Sequence, residues 1–121
     1  MKFIKDQGSD ITIRQIESNR LKIGNEFIDY SCVVTSEEIL GKWIKKNADI
    51  TTYDDLKFIL KKKPDVLIFG TGKKAIIPNR NLVFDLAKKN IGLEVMTTAA
   101  ACRTFNILIS EDRSPIAILI I

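Results

Sequence analysis

The sequence predicts an α/β fold in which an N-terminal antiparallel meander precedes a C-terminal β-α-β-α-β half. Three observations predict it. Apolar residues alternate with polar ones across residues 11–35, two short apolar segments begin near residues 66 and 93, and a helix start follows each segment. A length of 121 residues suits one domain over residues 1–121, long enough to bury roughly two thirds of its unfolded surface.

In the meander, Ile11 and Ile13, Leu21 and Ile23, then Phe27, Cys32 and Val34 supply the alternation, and Ser18-Asn19 and Gly24-Asn25 mark turns between them. The expected meander runs from Ile11 to Thr35. Thr35 and Glu38 have capping-box spacing ahead of Ile39, Leu40, Trp43 and Ile44, which predicts a helix with one apolar face. Trp43 reads as a packing anchor among aliphatic neighbours. A further helix is expected from Thr52, answered three residues on by Asp55, with Leu56, Ile59 and Leu60 turned inward. It closes at Lys61-Lys62-Lys63 and Pro64, where cations favour the helix dipole by about 0.3–1 kcal/mol. A solvated helix end explains that run.

Val66 to Phe69 is continuously apolar, the pattern of a strand buried on both faces. Gly70-Thr71-Gly72 opens a loop to Pro78 and Asn79, after which Leu82, Val83, Leu86 and Ala87 form a helix face that Asn90 and Gly92 end. Leu93 to Met96 is the next strand, Thr97 or Thr98 starts the last helix, and Ile116 to Ile121 is the final strand. Two consecutive βαβ crossovers require parallel strands, so the loop after Phe69 and the helix start after Met96 leave from one edge of the sheet. That edge is where α/β sheets hold ligands.

Composition narrows the chemistry. With 45% apolar and 28% charged residues the chain is an ordinary globular one, and it contains no histidine. That removes the usual general base, the Ser-His and Cys-His nucleophile pairs, and the commonest metal ligand. Cys32 and Cys102 stand alone, without disulfide or zinc spacing, so neither a metal nor another cofactor is expected. The formal charge of +4 comes from dispersed lysines without interleaved aromatics, which weighs against nucleic acid as a partner. The first residues lack a signal-peptide core and no apolar run is long enough to span a bilayer, so a cytoplasmic location is expected.

The stretch Met96 to Leu108 organises the candidate site. Gly70-Thr71-Gly72-Lys73-Lys74-Ala75 fits the dinucleotide pattern G-x-G-x-x-G/A in letters, but Pro78 resists the helix that should open on it and no acid ends the next strand. A tight turn is the commoner use of such glycines. Thr97 or Thr98 is a credible N-cap, Ala99 to Ala101 permit close packing, and Cys102 lies beyond the first helical turn, where the dipole has faded. Cys102 therefore reads as a buried, inert thiol more readily than a nucleophile. Arg103 calls either for an internal partner among Glu94, Glu111 and Asp112 or for an anion, and Asn106 lies one turn on along the same face. The candidate ligand- or partner-binding residues are Gly70, Thr71, Gly72, Thr98, Cys102, Arg103 and Asn106.

Several of these stretches resemble one family. Ile68-Phe69-Gly70-Thr71-Gly72, Glu94-Val95-Met96, the run Ala100-Ala101-Cys102-Arg103-Thr104-Phe105-Asn106-Ile107-Leu108, and Glu111 with Arg113 are similar to the Mth-type domains of unknown function. That family includes the mitochondrial complex I assembly factor 3 and an adipogenesis-associated protein. The resemblance implies a three-layer β/β/α arrangement with a mixed central sheet. This chain departs from the family pattern at Thr97, where the family has an acid, and at Ala99 and Asp112, where it has glycine. The resemblance implies a non-enzymatic interaction module, an assembly factor for a respiratory, complex I-like membrane complex, whose protein partner is a complex subunit or another assembly factor. The residues alone leave an alternative open: a small-anion or metabolite-binding protein or enzyme, with its pocket at the Gly70–Gly72 loop and the Thr98 helix start.

Overall fold

The alternation near the N-terminus produces three short strands, β1 (Ile13–Ile16), β2 (Leu21–Ile23) and β3 (Glu26–Ile28), paired antiparallel in the order β1-β2-β3. Ile13, Leu21, Ile23 and Ile28 are buried on the inner face of this small sheet. Gly24 makes the β2–β3 turn at φ 59°, and a Cβ there would lie 2.3 Å from the Asp10 carbonyl oxygen. Only glycine fits that turn. The computed structural model describes residues 10–44 and 46–121, so the first nine positions of the expected domain, and Lys45, lie outside the described residues.

The expected meander extended to Thr35, but its last part belongs to a different sheet. Strand β4 (Cys32–Val34) is buried at all three positions and pairs antiparallel with β8 (Pro115–Leu119) in the central sheet. A strand with no solvated face cannot remain in a two-sided meander. The helix expected after Thr35 is a strand, β5 (Ile39–Lys42), folded back antiparallel on β4. Thr35 does accept hydrogen bonds from the Glu37 and Glu38 amides (3.2 and 3.1 Å), but its own amide donates to the Glu38 carbonyl (2.8 Å), and this closes a hairpin turn. Ile39 packs into one core and Leu40 into the other, so the decisive period is two. Trp43 is a core anchor, edge-on to Phe69 with ring centroids 6.1 Å apart, and its indole N–H donates to the Lys46 carbonyl (2.8 Å). Ile44 is left exposed.

The helix expected from Thr52 is realised as a 3-10 turn (Asp54–Leu56) running into α1 (Lys57–Leu60). Its capping box forms: the Asp55 carboxylate accepts from the Thr52 amide (2.9 Å) and the Thr52 hydroxyl from the Asp55 amide (3.4 Å). From there the chain follows the expected order through β6 (Val66–Gly70), α2 (Arg80–Lys88), β7 (Gly92–Met96), α3 (Thr98–Ser110) and β8. Asn79 caps α2 by accepting from the Asn81 amide (2.8 Å).

The central sheet has the order β5-β4-β8-β6-β7, with β6 parallel to both β7 and β8, and antiparallel pairing across β8, β4 and β5. It is mixed, and with the separate meander sheet it makes an α/β fold of the class the sequence predicts, with β5 in place of the helix expected after Thr35. Strand alternation gives it two apolar faces. Cys32, Val34, Ile68, Ala117 and Leu119 share one core with the meander and with Ala101, Cys102 and Phe105 of α3. Val33, Leu67, Phe69, Ile116 and Ile118 share the other with Leu56, Ile59, Leu82 and Leu86 of the short helices. The crossover from β6 to β7 steps one way and the return to β8 passes back over β6, which places α2 and α3 on opposite faces.

Gly70 ends β6 beneath α3, where an added Cβ would stand 2.9 Å from both the Ala101 Cβ and the Thr98 Cα. One of those contacts is backbone, so the helix itself would have to move. Gly70→Ala is therefore expected to destabilise the fold by about 1–3 kcal/mol, read as a lower denaturation midpoint with unchanged m-value. An unchanged midpoint would mean that α3 rides less tightly on the sheet.

Candidate functional site

The parallel strands β6 and β7 end together, and the segments leaving them meet as the crossover argument predicts. The Thr71 amide donates to the Met96 carbonyl (2.9 Å), extending the strand pairing by one step. Gly72, at φ 94°, donates its amide to the Thr98 hydroxyl (2.8 Å) and accepts from the Thr98 amide (2.9 Å). The Thr98 hydroxyl in turn donates to the Ile120 carbonyl (2.7 Å), and the Ile120 amide donates to the Gly70 carbonyl (2.9 Å). The ends of β6 and β8 and the start of α3 are thus tied through one buried hydroxyl.

At the same helix start, Thr97 is the N-cap, accepting from the Ala100 amide (3.3 Å) while its carbonyl accepts from the Ala101 amide (2.8 Å). Helix amides that are free to bind anions in many α/β proteins are here engaged at Thr98, Ala100 and Ala101. The Thr71 hydroxyl is held at the Lys74 carbonyl, and the Thr71 carbonyl accepts from the Asn47 side chain (3.2 Å). Asn47 was not singled out by sequence reading, because it lies in an irregular segment with no periodic pattern to place it. Its proximity is a product of the chain path.

The remaining candidates point elsewhere. Cys102 is fully buried in the core shared with Cys32, and burial pushes both thiols up to about 12. A thiol so placed is a poor nucleophile. Asn106 clamps the meander to α3: its amide oxygen accepts from the Ile13 amide and its amide nitrogen donates to the Ile13 carbonyl, each at 2.9 Å. Arg103 lies on the exposed side of α3 and, among the described residues, has neither an ion-pair nor a hydrogen-bond partner. Glu94, Glu111 and Asp112 do not pair with it; Arg113 of the same turn pairs with Asp65 (3.3 Å). Gly70, Thr71, Gly72 and Thr98 are therefore brought together, while Cys102, Arg103 and Asn106 face the core, solvent and the meander respectively.

Beside the tied segments lies a cleft of about 580 Å³ between the β1–β2 turn and the start of α3, lined by Glu17, Leu21, Gly72, Lys73, Thr98 and Ile120 among others. Its walls are mostly aliphatic, with Glu17 and Lys73 at opposite charge. Among the described residues no group of acidic or cysteine side chains has the arrangement of a metal site.

Comparison with known proteins gives consistent matches. The family described as a protein of unknown function (DUF498/DUF598) matches residues 13–120. A Francisella tularensis protein named a 13 kDa major membrane protein is 32% identical over 65 residues, 54% of this chain and 53% of that protein, so the match spans about half of each. The zebrafish (Danio rerio) NADH dehydrogenase 1 alpha subcomplex assembly factor 3 is 29% identical over 117 residues, covering 96% of this chain and 67% of its own length. A Bartonella henselae protein described as an outer membrane protein has a crystal structure with a TM-score of 0.78, at 27% identity, covering 93% of this chain and 96% of that one. A Bordetella pertussis Mth938-like domain solved by NMR has a TM-score of 0.76 at 20% identity, covering 90% and 84%, which shows a shared fold.

Two measurements check the site. Thr98→Val keeps the side-chain volume but strands the Gly72 amide and the Ile120 carbonyl, with an expected loss of about 1–3 kcal/mol that Thr98→Ser largely restores. Equal losses in both variants would assign the effect to packing. For the thiols, the folded pKa of about 12 lies above the ordinary value of 9.0, so the neutral form is favoured on folding. Their stabilisation is complete below pH 9 and is lost as pH rises towards 12, because the unfolded thiols ionise first. Alkylation at pH 8.5 is expected to be negligible for the folded chain and rapid in denaturant, and rapid labelling of the folded chain would refute the buried assignment.

Proposed function

Because this chain belongs to the family described as a protein of unknown function (DUF498/DUF598), we propose that it is a non-enzymatic interaction module acting in the assembly of a respiratory, complex I-like membrane complex. The observation that carries this reading is the similarity to NADH dehydrogenase assembly factor 3 across 96% of the chain. A match of that extent includes the meander, both crossovers and the tied strand ends. The partner is a subunit or another assembly factor of such a complex, met at its cytoplasmic side. Residues 1–121 act as one Mth-type unit in this reading.

The chemistry of the strand-end site supports an interaction role. Thr98, Gly72 and Thr71 are engaged with backbone groups of the fold, and Cys102 is a buried thiol pushed up to about 12. These hydrogen bonds favour partner recognition over a small-anion pocket at the Gly70–Gly72 loop. Exposed Arg103, without an internal partner among the described residues, is available to a carboxylate on a protein surface.

Cells lacking the protein are expected to accumulate membrane-arm or peripheral subassemblies of NADH dehydrogenase in place of the full complex on native gels, with recovery on re-expression. Arg103→Glu is expected to recover less than the wild-type chain. Full complex at normal levels in the deletion strain would overturn the assembly reading.

A further inference from the structure

The lysines are dispersed along the sequence, but the fold gathers the net positive excess onto one layer. Residues 54–63, the 3-10 turn with α1 and its exit, hold four lysines against Asp54 and Asp55, and residues 80–89 hold Arg80, Lys88 and Lys89 against the single Asp85. Together these segments carry a positive excess equal to the whole chain's +4. They are α1 with its exit and α2, which cover the same face of the central sheet through Ile59, Leu82 and Leu86. The lysine run 61–63 lies just ahead of Val66 and Lys88-Lys89 just ahead of Gly92, and Val66 and Gly92 are paired in the parallel register. Both groups of lysines therefore come to the same end of the helical layer.

Helix C-termini account for lysines at these positions. They do not account for the aromatic residues beside them. Phe58 is 45% exposed one turn before Lys61 and Lys62, and Phe84 is 63% exposed one turn before Lys88, whose ammonium lies 4.9 Å from the Phe84 ring centroid. Lys57 and Lys62 have acidic partners in Asp54 and Glu38, but Lys61, Lys63, Lys88 and Lys89 have none among the described residues. The outer face of the meander contrasts with this, because Arg14 pairs with Asp10 and Arg20 with Glu17.

We propose that the outer face of α1 and α2 docks on an anionic bilayer surface, with Phe58 and Phe84 entering the headgroup boundary and Lys61, Lys63, Lys88 and Lys89 meeting lipid phosphates. The argument is charge complementarity: lysines without acidic partners among the described residues stand one helical turn from exposed aromatic rings, so cations and rings present one surface to lipid headgroups. Among the described residues no helix is long and apolar enough to cross a membrane, so this contact is peripheral. Nucleic acid would satisfy the lysines, but Phe84 already carries Lys88 over its ring, which obstructs base stacking on that side. The inference stands on this surface alone and does not depend on the assembly role.

Co-sedimentation of the purified full chain with vesicles tests it, using phosphatidylcholine alone and phosphatidylcholine with a third of the lipid replaced by phosphatidylglycerol. Binding is expected only to the anionic vesicles, weakening as salt rises. Phe84→Ser, and separately the double change Lys88→Glu with Lys89→Glu, is expected to weaken binding roughly tenfold or more. Arg14→Glu, an exposed cation on the outer face of the meander, is expected to leave it unchanged. Circular dichroism of each variant reports whether the fold is intact. Failure to bind anionic vesicles, equal binding to neutral ones, equal loss in Arg14→Glu, or binding to a single-stranded oligonucleotide in place of vesicles would each overturn the proposal.

Discussion

The close approach of α3 to β6 at Gly70 is the constraint on which the rest of the structure depends. With no Cβ at that position, the first turn of α3 lies directly on the strand end, and Thr98 reaches both the Gly72 amide and the Ile120 carbonyl. A single hydroxyl then joins three segments that are remote in sequence. Such a bridge is worth little per hydrogen bond in water, but it is buried, so leaving either partner unpaired is costly. From this junction α3 runs over β8 and β6, brings Cys102 and Phe105 into the core, and presents Asn106 to the meander. The small sheet is thereby attached to the rest of the fold through the two bonds between the Asn106 side chain and the Ile13 backbone as well as through Ile13, Leu21 and Ile28.

The same junction alters the chemical character of the sheet edge. In α/β proteins this edge often offers free amides to anions. Here the Thr98 amide meets the Gly72 carbonyl, Thr97 caps Ala100, and the loop is held further by Thr71 and Asn47. Polar groups that the sequence suggests for a ligand are engaged with the architecture, and the cations without acidic partners among the described residues lie elsewhere, at Arg103 and on the lysine-rich helical layer. The two faces of the central sheet thus differ in what covers them: one carries α3 and the meander, the other carries short helices whose outer side bears exposed phenylalanines and lysines without acidic partners among the described residues.

The C-terminal half was legible because its signals are local and mutually consistent. Val66 to Phe69 is apolar without alternation, Asn79 and Thr97 are both competent caps, and glycines stand at the turns, so strand, helix and strand follow from short-range chemistry. Their parallel order then places Gly70 to Gly72 beside Thr98 without further information. The stretch from Thr35 to Ile44 shows the opposite case. Its capping spacing is real and Thr35 does accept the expected amides, yet the chain closes a hairpin because β4 needs an antiparallel neighbour and the central sheet offers burial on both faces to Ile39 and Leu40. Four apolar residues within ten positions fit either period, and tertiary pairing decided between them.

The sequence by itself determined the fold class, the starts of α2 and α3, the positions of the parallel strands and the burial expected of Cys102, since each rests on residue type and spacing within a few positions. Only the tertiary structure decided which sheet Cys32 to Val34 joins, that Gly70 is a packing glycine while Gly72 is a conformational one, that Asn106 binds the Ile13 backbone, and that Arg103 is left to solvent. These depend on contacts between segments up to 93 positions apart. Their energies are set by burial and by the pairing of backbone groups, neither of which a local pattern of residues contains.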